Sequence, residues 1–351
     1  MIAGRLDQAI HTAAADPAVP GVLAAVHAPG LGLTWQGATA HELMDGSTGH
    51  SPDTPFRLAS TTKMVVACAV FRLIEQGRLG LHDPIIGMID PAIAGQLRGG
   101  EFDPERIVLA HLLGHTSGLR DHVAEPSYAA AVMAEPQRRW SRQEQIALAL
   151  AAGPPLGAPG TWFRYSDTGY VILGDIIERA AGQRLGPAVR ELIGYETLGL
   201  AATWWEEDEP APPAVLLRAA QYMADDEASG HDPSFDLFGG GGLISTVGDL
   251  VKLTRALVLG EVFDRPATLA AAYLISPATR APEAFFVHSN AFMLFPVGAR
   301  FGWGHAGFWG CVGVCLPDRD ITIAATINQA RPETPDRLLR LVADLFAALE
   351  G

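Results

Sequence analysis

The sequence predicts an α/β domain built from both ends of the chain, with an all-α domain inserted between its halves. Three observations lead there. Short apolar runs punctuated by Gly and Pro lie near the N-terminus and again after residue 284. The stretch from residue 81 to about 238 reads as one helix after another, and each end of the chain carries a helix of its own. The boundaries fall at 1–80 plus 240–351 for the α/β domain and at 81–239 for the helical domain. At 351 residues, 48% hydrophobic and 18% charged, the chain has the length for about two domains and the composition of a well-buried globular protein.

Taken in order, residues 2–14 have the apolar spacing of an amphipathic helix. "GVLAAVHAPGLGLTWQG" gives two short strands around a Pro-Gly turn. "FRLASTTKMVVACAVFRLIEQGRL", Phe56 to Leu79, reads as one long apolar helix stopped at Gly77. Helices are expected at 104–113, 128–134, 141–152, 168–181 and 185–193. The acidic, proline-rich and aromatic segment over about 201–238 is expected to be a lid-like excursion. Trp204 and Trp205 within it either line a pocket or pack the excursion. Gly239 to Gly242 lack the Lys-Ser/Thr of a phosphate loop and mark a tight turn ahead of a helix at about 247–259. "FFVHSNAFMLFP", "FGWGHAG", "FWGCVGVCLP" and "DITIAATINQ" read as successive strands, and 334–349 as the closing helix.

Charge and motif absences narrow the function. Lys plus Arg number 25 and Asp plus Glu 39, a formal charge of −14. Such a surface repels phosphate backbones and anionic lipid, so neither nucleic acid nor a membrane is an expected partner, and neutral or cationic ligands are favoured. No uncharged apolar run reaches the ~18 residues of a membrane span, and the N-terminus lacks the basic start and apolar core of a signal peptide. A cytoplasmic location is expected. Cys68, Cys311 and Cys315 make no disulfide framework. Cys311 and Cys315 sit on one strand about 13 Å apart, against a bridge span of about 5.5 Å. His111 and His115 have a zinc-site spacing, but Leu112 stands where the glutamate belongs, so no metal is expected. No serine lies in G-x-S-x-G; in "GHTSG" the glycines are misplaced, and His115 and Ser117 read as turn and cap residues.

What remains is Ser60 and Lys63. Three apart on a helix, their side chains share a face. A serine hydroxyl is a poor nucleophile until a neighbour takes its proton, and a lysine in dry surroundings is such a neighbour. The run Met64 to Val70 is apolar. S-x-x-K also occurs by chance as a cap and a solvated lysine, so two further stretches matter. In "FRYSDTGYVILGDIIERAAG", Tyr165, Ser166 and Asp167 precede a helix; a tyrosine there shuttles a proton if nearby cations lower its pKa. In "GWGHAGFWG", His305, Ala306 and Gly307 lie on a strand whose glycines allow close backbone approach.

In this order and spacing the three stretches resemble the serine β-lactamase / penicillin-recognising superfamily. The nearest branch holds class C β-lactamases, family VIII esterases, D-stereospecific peptidases and amidases, and related acyltransferases. "RLASTTK", "LLGHTSGL", "YSDTGYVILGDIIERAAG", "GGGLISTVGDLVKL" and "GHAGFWG" carry the likeness, which runs over roughly residues 20–345. The resemblance implies a β-lactamase-like fold, an antiparallel sheet flanked by terminal helices, and no cofactor. It implies Ser60 as the acylated nucleophile, with Lys63 and Tyr165 sharing the proton work. The amides of Ser60 and Phe308 would form the oxyanion hole, and Asp167, His305, Ala306, Gly307 and Trp309 would meet the substrate. The expected reaction is hydrolysis of a small ester or amide through an acyl-serine. The alternatives are acyl transfer by the same residues, or a binding protein that keeps the fold without catalysis.

Two positions depart from the family pattern. Asp167 stands where Asn is common, and a carboxylate beside Lys63 would keep that ammonium charged, shifting the proton work to Tyr165. His305 replaces a frequent lysine and is mostly neutral at pH 7. Both changes disfavour carboxylated substrates such as penicillin and D-Ala-D-Ala, and favour neutral esters and amides or substrates with a free amine. Specificity is expected from residues about 200–238 and 283–300.

Overall fold

The computed structural model describes residues 1–280 and 287–350. Seven strands build its central sheet: β1 (Leu23–Ala28), β2 (Leu33–Ala38), β3 (Val287–His288), β4 (Met293–Val297), β5 (Arg300–Gly307), β6 (Cys311–Leu316) and β7 (Ile321–Thr326). The principal helices are α1 (Ile2–Ala14), α2 (Thr62–Glu75), α3 (Asp167–Ala181), α4 (Val247–Leu259) and α5 (Thr334–Glu350). The strand order is β3-β4-β5-β6-β7-β1-β2, antiparallel throughout. Leu23 pairs with Thr326, so the first strand of the chain closes on its last.

The sheet is buried on both faces because its strands alternate two apolar sets. Ala24, Val26, Val312, Val314 and Ala325 point to the face covered by α1 and α5. Leu23, Ala25, Cys311, Cys315 and Ala324 point to the other, where α2 and α4 pack. All three cysteines are free and buried. The expected antiparallel sheet with terminal helices is therefore present. Among the described residues no helix is long and apolar enough to cross a membrane.

Phe56 to Leu79 is not one helix. Phe56–Arg57 pairs as a strand with Leu243–Ser245, Ala59–Thr61 forms a single 3-10 turn, and α2 begins only at Thr62. The break has a backbone cause: Ala59 sits at φ +44°, in the left-handed region, where a right-handed helix cannot run through. Beyond it every side chain of α2 from Thr62 to Phe71 is buried. A helix apolar all round needs cover all round, and α2 has it. The sheet and α4 lie on one side, α3 and the helix Leu185–Ile193 on the other.

The helical region differs in detail from expectation. The helix expected at 104–113 spans only Leu109–Leu113. A further helix, which the periodicity does not predict, is Pro91–Gly99, where Asp90 caps the Ala92 amide. Segment 201–238 is tied down rather than lying free as a lid. Trp204–Trp205 pairs with Leu243–Ser245, both indoles are buried, and Trp205 Nε1 donates to Leu237 O at 3.0 Å. Arg57, itself buried, makes a bidentate contact to Glu206 at 2.8 and 3.0 Å. Gln221 bonds both the N–H and the C=O of Arg57. Packing is thus the role of the two tryptophans. Of the expected strand "FFVHSNAFMLFP", Phe285 and Phe286 lie outside the described residues, as do positions 283 and 284 of the expected specificity segment.

Two glycines give opposite expectations. A Cβ on Gly304 would collide with the carbonyl of Gly313 across the β5–β6 ladder, so Gly304→Ala should destabilise by about 1–3 kcal/mol. Gly95, mid-helix with nothing near its missing Cβ, should gain about 0.5–1 kcal/mol as alanine. Thermal unfolding checks both, as a Tm lowered by several degrees and a Tm raised slightly.

Candidate active site

Three segments far apart in sequence meet beneath the end of β5. Ser60 comes from the 3-10 turn, whose entry is fixed by the Leu58 amide donating to Leu243 O at 2.8 Å. The left-handed Ala59 just before it is local strain held by its surroundings. Lys63, one turn on, is 0% exposed. Its Nζ donates to Ser60 Oγ at 2.8 Å, to Asp167 Oδ1 at 2.5 Å and to Gly240 O at 2.7 Å, which uses all three of its protons. Burial pulls the Lys63 pKa down, but the charge of Asp167 and the bond to it outweigh that. The net shift is upward and the group is an ammonium.

Each partner has a local reason to be there. Asp167 is the first residue of α3, after Ser166, whose Oγ caps the Gly169 amide. The glycine run crosses directly above it. Gly239 and Gly242 sit at φ +118° and +119°, and a Cβ on Gly240 would stand 2.7 Å from Asp167 Oδ1. Only glycine lets that backbone come low enough to offer a carbonyl to the buried ammonium.

Tyr165 lies over the pair, its ring centre 5.2 Å from Lys63 Nζ. The His115 ring stacks on it at 4.5 Å, and His115 Nδ1 accepts the Ser166 amide at 3.2 Å, so this histidine positions the tyrosine segment. Burial raises the Tyr165 pKa. The Lys63 charge and hydrogen bonding with Ser60 and Lys63 pull it back without reversing the shift, and Asp167 adds to it. The phenol is therefore held protonated, so the condition that nearby cations lower its pKa is not met.

β5 supplies the opposite wall. A Cβ on Gly307 would collide with Leu58 O, so this glycine lets the strand end lie against the Ser60 turn. A cavity of about 730 Å³ is lined here by Ser60, Tyr165, Asp167, His305, Ala306, Gly307 and Phe308. Phe308 is 48% exposed at its mouth, whereas Trp309 is 0% exposed and does not line it. Trp309 packs with Ala59 and Ala228 beneath the turn, so it meets no substrate; the tight turn at Gly310 (φ +73°) sends neighbouring side chains to opposite sides.

The structure adds four residues that sequence reasoning does not assign to the site: Asp121, Asp236, His115 and His288. Asp121 Oδ1 accepts the Asp167 amide at 3.1 Å; its carboxyl is pushed up to about 7, by burial first and then by the Asp167 charge. Asp236 also reaches about 7, because burial outweighs the attraction of Lys63. Both line the cavity. His288 packs edge-on to His115 and His305, and burial plus the Lys63 charge push it down to about 3. His115 and His305 fall well below the ordinary histidine value for the same first reason. His305 Nδ1 lies 2.7 Å from Ala306 O, which puts the proton of the neutral ring there and leaves a buried, unpartnered Nε2. His111 instead accepts the Val108 amide, away from His115. No local pattern marks Asp121 or Asp236; they join the site only through the fold.

Comparison with known proteins gives this geometry a lineage. A family profile described as Beta-lactamase matches residues 6–348. Esterase EstB from Burkholderia gladioli is 33% identical over 227 residues, 63% of this chain and 56% of EstB. The D-alanyl-D-alanine-carboxypeptidase/endopeptidase AmpH of Escherichia coli (strain K12) is 26% identical over 213 residues, 61% of this chain and 51% of AmpH. The chain thus matches about half the length of these relatives. In fold it is similar over 99% of its length to the D-amino acid amidase from Ochrobactrum anthropi SV3, with a TM-score of 0.80, 23% identity and 98% of that chain covered. With a profile match that runs almost from end to end, the chain belongs to the Beta-lactamase family.

Proposed function

We propose that the protein is a serine hydrolase that cleaves ester or amide bonds of small, neutral or amine-bearing substrates through an acyl-Ser60 intermediate. One observation carries the reading: a fully buried ammonium, Lys63, is held 2.8 Å from Ser60 Oγ and 2.5 Å from the Asp167 carboxylate, and Ser60, Asp167 and Tyr165 line one cavity. The relatives named as an esterase, a carboxypeptidase and an amidase support the reaction class without choosing a substrate.

The proton inventory sets the roles. At rest Lys63 is charged, Tyr165 neutral and Ser60 neutral. As Ser60 Oγ bonds to the substrate carbonyl carbon, its proton enters the Lys63–Asp167 pair, Lys63 passing one on to Asp167 as it takes one from Oγ. Tyr165 gives its proton to the leaving oxygen or nitrogen as that bond to carbon breaks, and Lys63 returns a proton to the phenolic oxygen. Water then reverses the sequence, leaving free acid and Ser60. The amides of Ser60 and Phe308 are the oxyanion donors, a contribution of about 2.7–4 kcal/mol for each such group in other enzymes.

Charge selects the substrate. One ammonium faces three carboxyl groups, Asp121, Asp167 and Asp236, and the three nearby imidazoles stay neutral. The guanidinium that lines the cavity, Arg331, is engaged by Asp225. From about pH 7 upward, as Asp121 and Asp236 ionise, a substrate carboxylate would meet net negative potential at short range.

Five outcomes test this reading. With p-nitrophenyl acetate, Ser60→Ala should abolish the acyl adduct seen by intact mass and lower kcat/KM by about four orders of magnitude; Tyr165→Phe should lower kcat by about a hundredfold or more. Nitrocefin should turn over more slowly than the short esters, and Asp167→Asn should raise carboxylated substrates relative to neutral ones; equal effects on both would refute the charge argument. Asp236 titrates near 7 folded but near 3.8 unfolded, so its stabilising contribution is present below the unfolded value and is lost as pH rises through about 7. Asp236→Asn should therefore raise Tm at pH 8 and change it little at pH 4, by calorimetry at both.

A further inference from the structure

We propose that the cavity has a second, apolar arm, reached past the end of the β4–β5 ladder, that takes a hydrocarbon chain or ring of the substrate. The proposal rests on the acyl-Ser60 reading and names its substrate class: esters or amides bearing a medium-length apolar group.

The arm follows from the sheet register. β4 begins at Met293, which pairs with Gly304, so His305, Ala306 and Gly307 of β5 continue past the last residue of that ladder. Among the described residues no strand pairs with this edge beyond Gly304, and the cavity of about 730 Å³ is lined by residues from both faces of the sheet. Alternation divides its walls. His305 and Gly307 lie with Ser60, Tyr165 and the carboxylates, while Ala306 packs with the core that α5 covers. On that second face the lining is Met293, Phe295, Val312, Leu338, Leu339 and Val342, drawn from β4, β6 and α5.

Five of these six side chains belong to the buried core between sheet and α5, yet they also border space continuous with the nucleophile. A wall of Leu, Val, Phe and Met offers water no partners. A methylene moved there from water improves binding about fourfold.

The test is a chain-length series on the whole protein, from p-nitrophenyl acetate to p-nitrophenyl octanoate, with a parallel series from ethyl acetate to octyl acetate. The first places the chain on the acyl side, the second on the leaving group. The expected result is kcat/KM rising about fourfold per methylene in one series, with Leu339→Trp lowering the octyl-to-short ratio at least tenfold. A flat profile in both series, or an unchanged ratio in the folded variant, overturns the proposal. Calorimetric binding of octanamide and acetamide to Ser60→Ala reads the arm without turnover and without the tryptophan variant. Octanamide should bind at least a hundredfold more tightly, and equal affinities overturn the arm. If no ester is hydrolysed and octanamide still binds tightly, the acyl-serine reading fails and the apolar arm stands.

Discussion

A single buried ammonium organises this molecule. Lys63 has no exposed surface, and an unpaired charge in such a place would cost several kcal/mol. The chain must therefore bring oxygen atoms to it, and it does so from three directions: the serine hydroxyl one turn back, a carboxylate at the start of α3, and a carbonyl from the glycine run before α4. These segments belong to the turn leading into the central helix, the helical region and the approach to α4. The contact that satisfies one side chain is thus the contact that joins the layers. The absence of side chains at Gly240 and Gly307 and the left-handed backbone at Ala59 are the local concessions that let those oxygens arrive.

The same burial decides which groups carry charge. Imidazoles shed protons when desolvated and carboxyls hold them. Around Tyr165 this leaves His115, His288 and His305 as neutral rings that serve as packing surface and hydrogen-bond partners. The acid–base capacity near neutral pH lies instead in Asp121 and Asp236. Residue type alone would point to the histidines as the groups that titrate near neutral pH, whereas burial gives that place to the two carboxyls.

Much of this is legible in the sequence, for identifiable reasons. The two terminal helices and the strand pairs around Pro29 and Gly310 follow from periodicity and turn residues, which are local signals. Ser60 and Lys63 stand out by their spacing of three, and Tyr165 and Asp167 by the family resemblance of the stretch that carries them. The break at Ala59 is hidden because Phe56 and Arg57 look like the apolar start of a helix, and their true partner, Leu243–Ser245, is almost two hundred residues away. The burial of Trp309 is equally hidden, since neighbours in a turn share sequence but not a face. Asp121 and Asp236 carry no pattern at all, and proximity to Lys63 is created only when the fold closes.

The grip on Arg57 has a wider consequence. The strand leading into the Ser60 turn is clamped from outside the cavity, by Glu206 and Gln221. Aim and appetite are thereby separated: the direction of the serine is set by one group of residues, and the shape it faces by another. A lineage built this way can change its diet by drift in the cavity lining while the serine stays sighted, which is a physical basis for one scaffold serving many trades.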